Sequence, residues 1–170
     1  PDLPVEKLVE RLRVSKPRFI KWDARPPNAI ILEGGKVAWI DWEHCGRRNR
    51  LDDLAWLFGD QTVPDWPDVE DRLLDRHLPA FLDGMDPEDA RDYLSVYGTF
   101  HMCIRLGKIL NKENRRGMDD WVSVLSGGKV AAYALEDARK TAIRASRWAA
   151  RSPLTADLSP WLLEVAELFE

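Results

Sequence analysis

Two carboxylates and one side-chain amide, those of Asp23, Asp41 and Asn28, have the residue types and the spacing of a magnesium site. The residues on either side of Glu33-Gly34-Gly35-Lys36 have the apolar pattern and the turn of a β-hairpin. Because a hairpin brings its two ends together, we expect Asn28 and Asp41 to be neighbours, with Asp23 nearby on a proline-rich loop. Mg²⁺ takes oxygen ligands of this kind and keeps water molecules that substrate phosphates can replace.

The elements that must position these residues are short strands followed by helices. Strands are predicted over 19–22, 29–32 and 37–40. The loop after the first strand cannot be regular structure, because Pro26 and Pro27 lack backbone donors. Helical spacing of apolar residues predicts helices over about 4–13, 51–58, 69–82, 87–110 and 129–150, and a last helix that opens at 159–160. A polar break is expected over 111–118, with a helical stretch beginning near Trp121.

The 170 residues have the size of one domain and enough apolar content to form a core. We expect an α+β fold that is mainly α-helical. The catalytic loop and the hairpin would occupy 1–60, and a helical, substrate-side subdomain would occupy 61–170. Neither an internal repeat nor a low-complexity linker divides the sequence.

Three motifs between about residues 18 and 60 resemble one family of enzymes. Asp23-Ala24-Arg25-Pro26-Pro27-Asn28 resembles the kinase catalytic loop, in which four residues separate an Asp from an Asn. Ile40-Asp41-Trp42-Glu43 resembles the metal-binding motif of aminoglycoside phosphotransferases and choline-kinase-like enzymes, and Asp52-Asp53-Leu54-Ala55 resembles the Asp-Leu-Ala that follows it. The resemblance implies the C-terminal lobe of a protein kinase-like fold.

The resemblance also implies roles for individual residues. Asp23 would orient the substrate hydroxyl and accept its proton, while Asn28 and Asp41 would hold Mg²⁺ against the phosphates of ATP. Arg25 would face the γ-phosphate. Alternatively, Arg25 is one partner of a surface salt bridge. Glu43 would add a contact to the metal or to its water.

The sequence departs from the family in the residues before the catalytic Asp. Asp53 would brace the catalytic loop through backbone amides, but Lys21-Trp22 stands where the family usually has His-Gly. We expect the Lys21 ammonium to lie close enough to pair with Asp23.

A second departure concerns the lobe that grips ATP. Only 22 residues precede Asp23, too few for an N-terminal lobe with its Gly-rich loop, phosphate-pairing Lys and helix. The expected function is therefore the catalytic lobe of a small-molecule phosphotransferase, which moves the ATP γ-phosphate to a hydroxyl and is inactive as an isolated lobe. The alternative is a non-catalytic, kinase-like binding or regulatory module. In either case the uncovered face would meet the missing lobe or a second copy of the chain.

Composition excludes other classes of partner. The formal net charge is −4 and there is no block of Lys and Arg, so a nucleic-acid partner is not expected. No apolar run is long enough for a membrane span, and no signal peptide is visible, which favours a cytoplasmic protein. Cys45 and Cys103 fit neither metal nor redox spacing and are expected as free thiols.

An acidic run from Asp65 to Asp75 has two interpretations. It could line a pocket for a cationic substrate, or it could form a solvated helix face, and the second is favoured because charge runs usually face water. His101, on a predicted helix without a partner at ligand spacing, is expected to be structural.

Overall fold

The computed structural model describes residues 1–114 and 129–169. The chain has an α+β fold that is mainly helical. In these described ranges, four short strands form two antiparallel pairs, and helices make up most of the rest. The helices are α1 (Val5–Arg11), α2 (Leu51–Phe58), α3 (Pro67–His77), α4 (Pro87–Asn114), α5 (Lys129–Ala149) and α6 (Leu158–Glu167).

The predicted hairpin is present. Strands β2 (Ala29–Ile31) and β3 (Val37–Trp39) pair antiparallel, with Ala29 opposite Trp39. The connection is a short 3₁₀ turn in which Gly34 and Gly35 have φ angles of 75° and 74°. Glycine adopts this left-handed conformation at little cost, so the Gly-Gly pair determines where the chain reverses.

A second strand pair was not predicted from the sequence. Strand β1 (Arg18–Ile20) pairs antiparallel with β4 (Gly46–Arg48), and Ile20 lies opposite Gly46. The three residues of β4 are glycine and two arginines, which lack the apolar alternation by which a strand is recognised. This pair joins the segment before Asp23 to the segment after Asp41, so it closes the base of the candidate site.

Two predicted boundaries were wrong. Helix α4 continues to Asn114, so the first four residues of the polar break expected at 111–118 are helical. The other residues of that break, and the helical stretch expected near Trp121, lie outside the described residues. The helix predicted over 69–82 ends at His77, and Leu78–Phe81 form a 3₁₀ turn. Pro79 explains this end, because proline has no backbone N–H with which to continue the hydrogen bonds of the helix.

Helices α2, α4 and α5 enclose the main core, together with the start of α6. Leu51, Met102, Trp148 and Leu162 are almost completely buried there. Cys45 and Cys103 are free thiols, as expected. Within the residues described, no helix is long and apolar enough to cross a bilayer.

The acidic run is only partly solvated, which corrects the favoured interpretation. Glu70 is 7% exposed, and its carboxylate accepts hydrogen bonds from Trp148 Nε1 at 2.7 Å and from Arg147 at 2.9 Å. Asp65 accepts from Arg147 and from the buried Arg144. These carboxylates pair with guanidinium groups of α5 and so attach α3 to the helical body.

Helices α4 and α5 meet at Gly98, where a side chain has no space. A Cβ placed on Gly98 would lie 2.2 Å from two ring carbons of Trp148. At Gly107, on the same helix, no atom of the described residues lies within 4 Å of the equivalent position.

We predict that Gly98→Ala lowers the free energy of unfolding by about 1–3 kcal/mol, because the new methyl group overpacks the Trp148 ring. Gly107→Ala serves as the matched control and should raise the free energy of unfolding by up to about 1 kcal/mol through helix propensity alone. Urea denaturation of both variants would measure the two changes. Equal effects of both substitutions would contradict this account of the α4–α5 contact.

Candidate active site

Three residues in or next to the segments 23–28 and 40–43 have strained backbone conformations. Trp22, Asp23 and Asp41 have φ angles of 48°, 129° and 58°. In the described part of the chain, only one other non-glycine residue, Asp83, has a positive φ. Such conformations cost free energy and persist only where surrounding contacts enforce them. The contacts that enforce these three therefore define how the site is built.

The first of these contacts comes from Asp53, in the first turn of α2. Its two carboxylate oxygens accept hydrogen bonds from the backbone amides of Lys21, at 3.1 Å, and Trp22, at 2.8 Å. Burial raises the pKa of Asp53, while these two amide bonds oppose the rise. Asp53 thus holds the chain immediately before Asp23.

The second contact is the Lys21 ammonium, which is buried. Nζ donates to the backbone carbonyl of Asp23 at 3.0 Å and to that of Asp41 at 2.7 Å. The sequence allowed a pairing of Lys21 with Asp23, and the ammonium group instead donates to these two backbone oxygens. One cation thus joins the loop that carries Asp23 to the segment that carries Asp41.

The side chains of Asp23 and Asn28 lie together. Asn28 Nδ2 donates to Asp23 Oδ2 at 2.6 Å and to the backbone carbonyl of Asp23 at 3.1 Å. This orientation commits Nδ2 to Asp23 and leaves Oδ1 as the atom that a metal ion would take. The carbonyl of Asn28 accepts from the amide of Ile40 at 2.9 Å, so the hairpin places Asn28 next to the segment that leads into Asp41.

Asp41 and Glu43 are exposed. The Glu43 carboxylate lies 3.4 Å from His44 Nε2. Among the described residues, no group of three or more His, Cys, Asp or Glu side chains is arranged to hold a metal ion. The oxygens of Asn28 and Asp41 are two hard ligands, a set that fits Mg²⁺ when phosphates complete its coordination.

Arg25 makes a contact that the sequence did not reveal. Its Nε donates to Asp60 Oδ2 at 2.5 Å, and the same nitrogen lies 3.9 Å from Asp23 Oδ1. Asp60 is 1% exposed, so the pair is not a surface salt bridge. The only sequence signal for Asp60 is its place directly after the helix that carries Asp53.

Burial displaces the pKa values of Asp52 and His101. Burial raises the pKa of Asp52 to about 7, although the Tyr93 hydroxyl donates to it at 2.8 Å. Burial lowers the pKa of His101 to about 3, and its ring packs 4.3 Å from that of Trp56, centroid to centroid. Neither group contacts Asp23, and His101 has the structural position expected for it.

Comparison of the chain with models of protein families, with curated proteins and with solved structures found no match.

We predict that Lys21→Met destabilises the chain by about 1–3 kcal/mol, because two carbonyls at strained positions lose their charged donor. Lys36→Met, in the exposed turn of the hairpin, is the matched control and should change the free energy of unfolding by less than about 0.5 kcal/mol. Chemical denaturation measures both. A Lys21 variant no less stable than the Lys36 variant would show that the ammonium bridge is unimportant.

We predict that titration of Asp52 makes the free energy of unfolding decrease as pH rises. Its raised folded pKa means that the native state holds a proton that the unfolded chain has lost, so stability decreases as pH rises from about 4 through about 7. His101 acts in the opposite direction up to and through its ordinary pKa of 6.5, so it offsets part of this loss near that pH. Between pH 6.5 and 8 we expect Asp52 itself to contribute a loss of about 1 kcal/mol, which Asp52→Asn removes.

Thermal or urea unfolding across this pH range would test the Asp52 prediction. Asp75→Asn, a substitution at an exposed carboxylate, is the control and should keep the decrease of the free energy of unfolding with pH. If the Asp52 variant shows the same decrease as the wild type, another group is responsible for it.

Proposed function

We propose that this chain is the C-terminal, catalytic lobe of a small-molecule phosphotransferase that uses ATP and Mg²⁺. The observation that carries the proposal is the Lys21 bridge, because it joins the two segments whose motifs would supply the proton acceptor and the metal ligands. The strained φ angles of Asp23 and Asp41 add support, since such strain is concentrated at functional sites.

In this proposal Asp23 orients the acceptor hydroxyl and takes its proton. Asn28 holds Asp23 Oδ2, so Oδ1 is the oxygen that would receive the proton. Asn28 Oδ1 and the Asp41 carboxylate would hold the metal ion against the phosphates. When bound, Mg²⁺ would neutralise charge on the transferred phosphoryl group. Positioning and charge neutralisation are the main requirements of phosphoryl transfer, so few side chains are needed.

The apolar face around the hairpin supports a requirement for a covering partner. Ile31 is 79% exposed and Val37 is 52% exposed. Phe19 and Trp42, which are 68% and 45% exposed, stack with their ring planes 6° apart. A continuous apolar face of this kind is usually covered. We propose that an ATP-gripping lobe covers it, or a second copy of the chain where that lobe is missing.

A non-catalytic kinase-like module is the second candidate, and Lys21 itself favours it. A fixed positive charge on the carbonyl of Asp41 repels a divalent ion that would bind the carboxylate of the same residue. If this repulsion dominates, the lobe would bind a partner without catalysing transfer.

We predict that Asp41→Ala weakens Mn²⁺ binding in the presence of a non-hydrolysable ATP analogue by at least about 10-fold, because one of two protein ligands is lost. When the chain is joined to an ATP-gripping lobe, Asp23→Asn should lower kcat for transfer to a small alcohol by about 100-fold or more. Titration calorimetry and a phosphoryl-transfer assay over a panel of alcohols make the two measurements.

Asp68→Ala removes an exposed carboxylate of the same type from α3 and should leave both properties unchanged. Unaltered metal binding and unaltered transfer in the Asp41 variant would refute the catalytic proposal. Nucleotide or partner binding without transfer to any acceptor would favour the non-catalytic module.

A further inference from the structure

We infer that Asp60 is a positioning residue, which fixes the orientation of Arg25 beside Asp23 from the far end of α2. The effect of Asp60 on catalysis rests on the proposed function. The effect of Asp60 on the orientation of Arg25 rests on the contacts of Asp60 alone, and it can be tested without any transfer reaction.

The Asp60 carboxylate is held by four donors. Thr62 donates to Oδ1 twice, from its backbone amide at 2.9 Å and from its hydroxyl at 2.5 Å. Oδ2 accepts from Arg25 Nε at 2.5 Å and from Arg105 Nη2 at 3.2 Å. Burial alone would raise the pKa of Asp60, but the bonds from Thr62 and Arg25 outweigh it and hold the pKa below its ordinary value. The carboxylate is thus charged and oriented before any ligand arrives.

This contact determines which atoms of Arg25 remain for a ligand. Nε is committed to Asp60 and is too far from Asp23, at 3.9 Å, to hydrogen bond with it. The terminal Nη groups are the remaining donors of the guanidinium, and such a pair suits the oxygens of a phosphoryl group. Asp60 would therefore aim Arg25 and at the same time keep it from closing onto the proton-accepting carboxylate.

Helix α2 holds the catalytic loop at both sides of Asp23. Asp53, in its first turn, binds the amides of Lys21 and Trp22, and Asp60, just after its last turn, binds Arg25. The backbone of Asp60 is itself fixed, because its carbonyl accepts from the buried Arg144 Nη1 of α5 at 2.9 Å. Asp60 therefore connects the loop to α4 through Arg105 and to α5 through its carbonyl.

The structural test is an NMR measurement of the Arg25 Nε–H group in the chain as it stands. In the wild type we expect a protected signal. Asp60→Asn removes the charge but keeps an acceptor oxygen, and we expect exchange of this proton with solvent to become at least about 10-fold faster. Thr62→Val, which removes one of the bonds that orient Asp60, should give a smaller change in the same direction if the first variant fails to fold.

Asp83→Asn is the matched control for this test. Asp83 also pairs with two arginines, which are Arg18 and Arg50 and not Arg25 or Arg144. The control should therefore leave the Arg25 signal unchanged. Equal effects of the Asp60 and Asp83 variants on Arg25, or no effect of either the Asp60 or the Thr62 substitution, would overturn the inference.

The catalytic test uses the complete enzyme, with its nucleotide-binding lobe. Asp60→Asn should lower kcat at least about 10-fold while the KM for the acceptor changes less than about 2-fold. In an Arg25→Gln background the same substitution should cause no further loss, because a positioning residue acts through the group that it positions. Additive losses would refute this role. Absence of transfer in the wild type would refute the proposed function and leave the NMR result to decide the positioning of Arg25.

Discussion

The buried ammonium group of Lys21 is the contact on which the arrangement of the site depends. A cation in this position needs strong acceptors to offset its loss of hydration, and the carbonyls of Asp23 and Asp41 supply them. Those carbonyls are correctly oriented only because the backbone at both residues is left-handed. The strain at Asp23 and Asp41 and the charge on Lys21 therefore support each other, and neither would persist without the other.

Helix α2 provides the rigid support beneath this bridge. Two acidic residues of α2 and one that follows it have different tasks. Asp52 is buried against Tyr93, Asp53 holds the amides before Asp23, and Asp60 holds Arg25. The position of α2 is in turn secured by Arg144 of α5, which donates to the carbonyls of Phe58 and Asp60. The geometry of a short loop thus depends on a helix far along the chain, whose Arg144 is 86 residues from Phe58.

The distribution of buried charge also limits what the helical region can offer a ligand. Glu70 and Asp65 are occupied by arginines of α5, so these carboxylates stabilise the packing of α3 and do not form a free acidic surface. Buried carboxylates of this kind are retained only with their partners in place, because an unpaired charge in the interior is very costly.

Local sequence determined the hairpin and most helices, while tertiary pairing decided the chemistry of the site. Gly34 and Gly35 specify a left-handed reversal, and helical periodicity located α2, because these signals lie within a few residues of each other. The same local reasoning brought Asn28 next to Asp23. It missed β4 and the partners of Arg25 and Glu70, because Asp60 is 35 residues from Arg25 and Trp148 is 78 residues from Glu70. Interactions across such separations form only when helices pack, and no residue pattern along the chain records them.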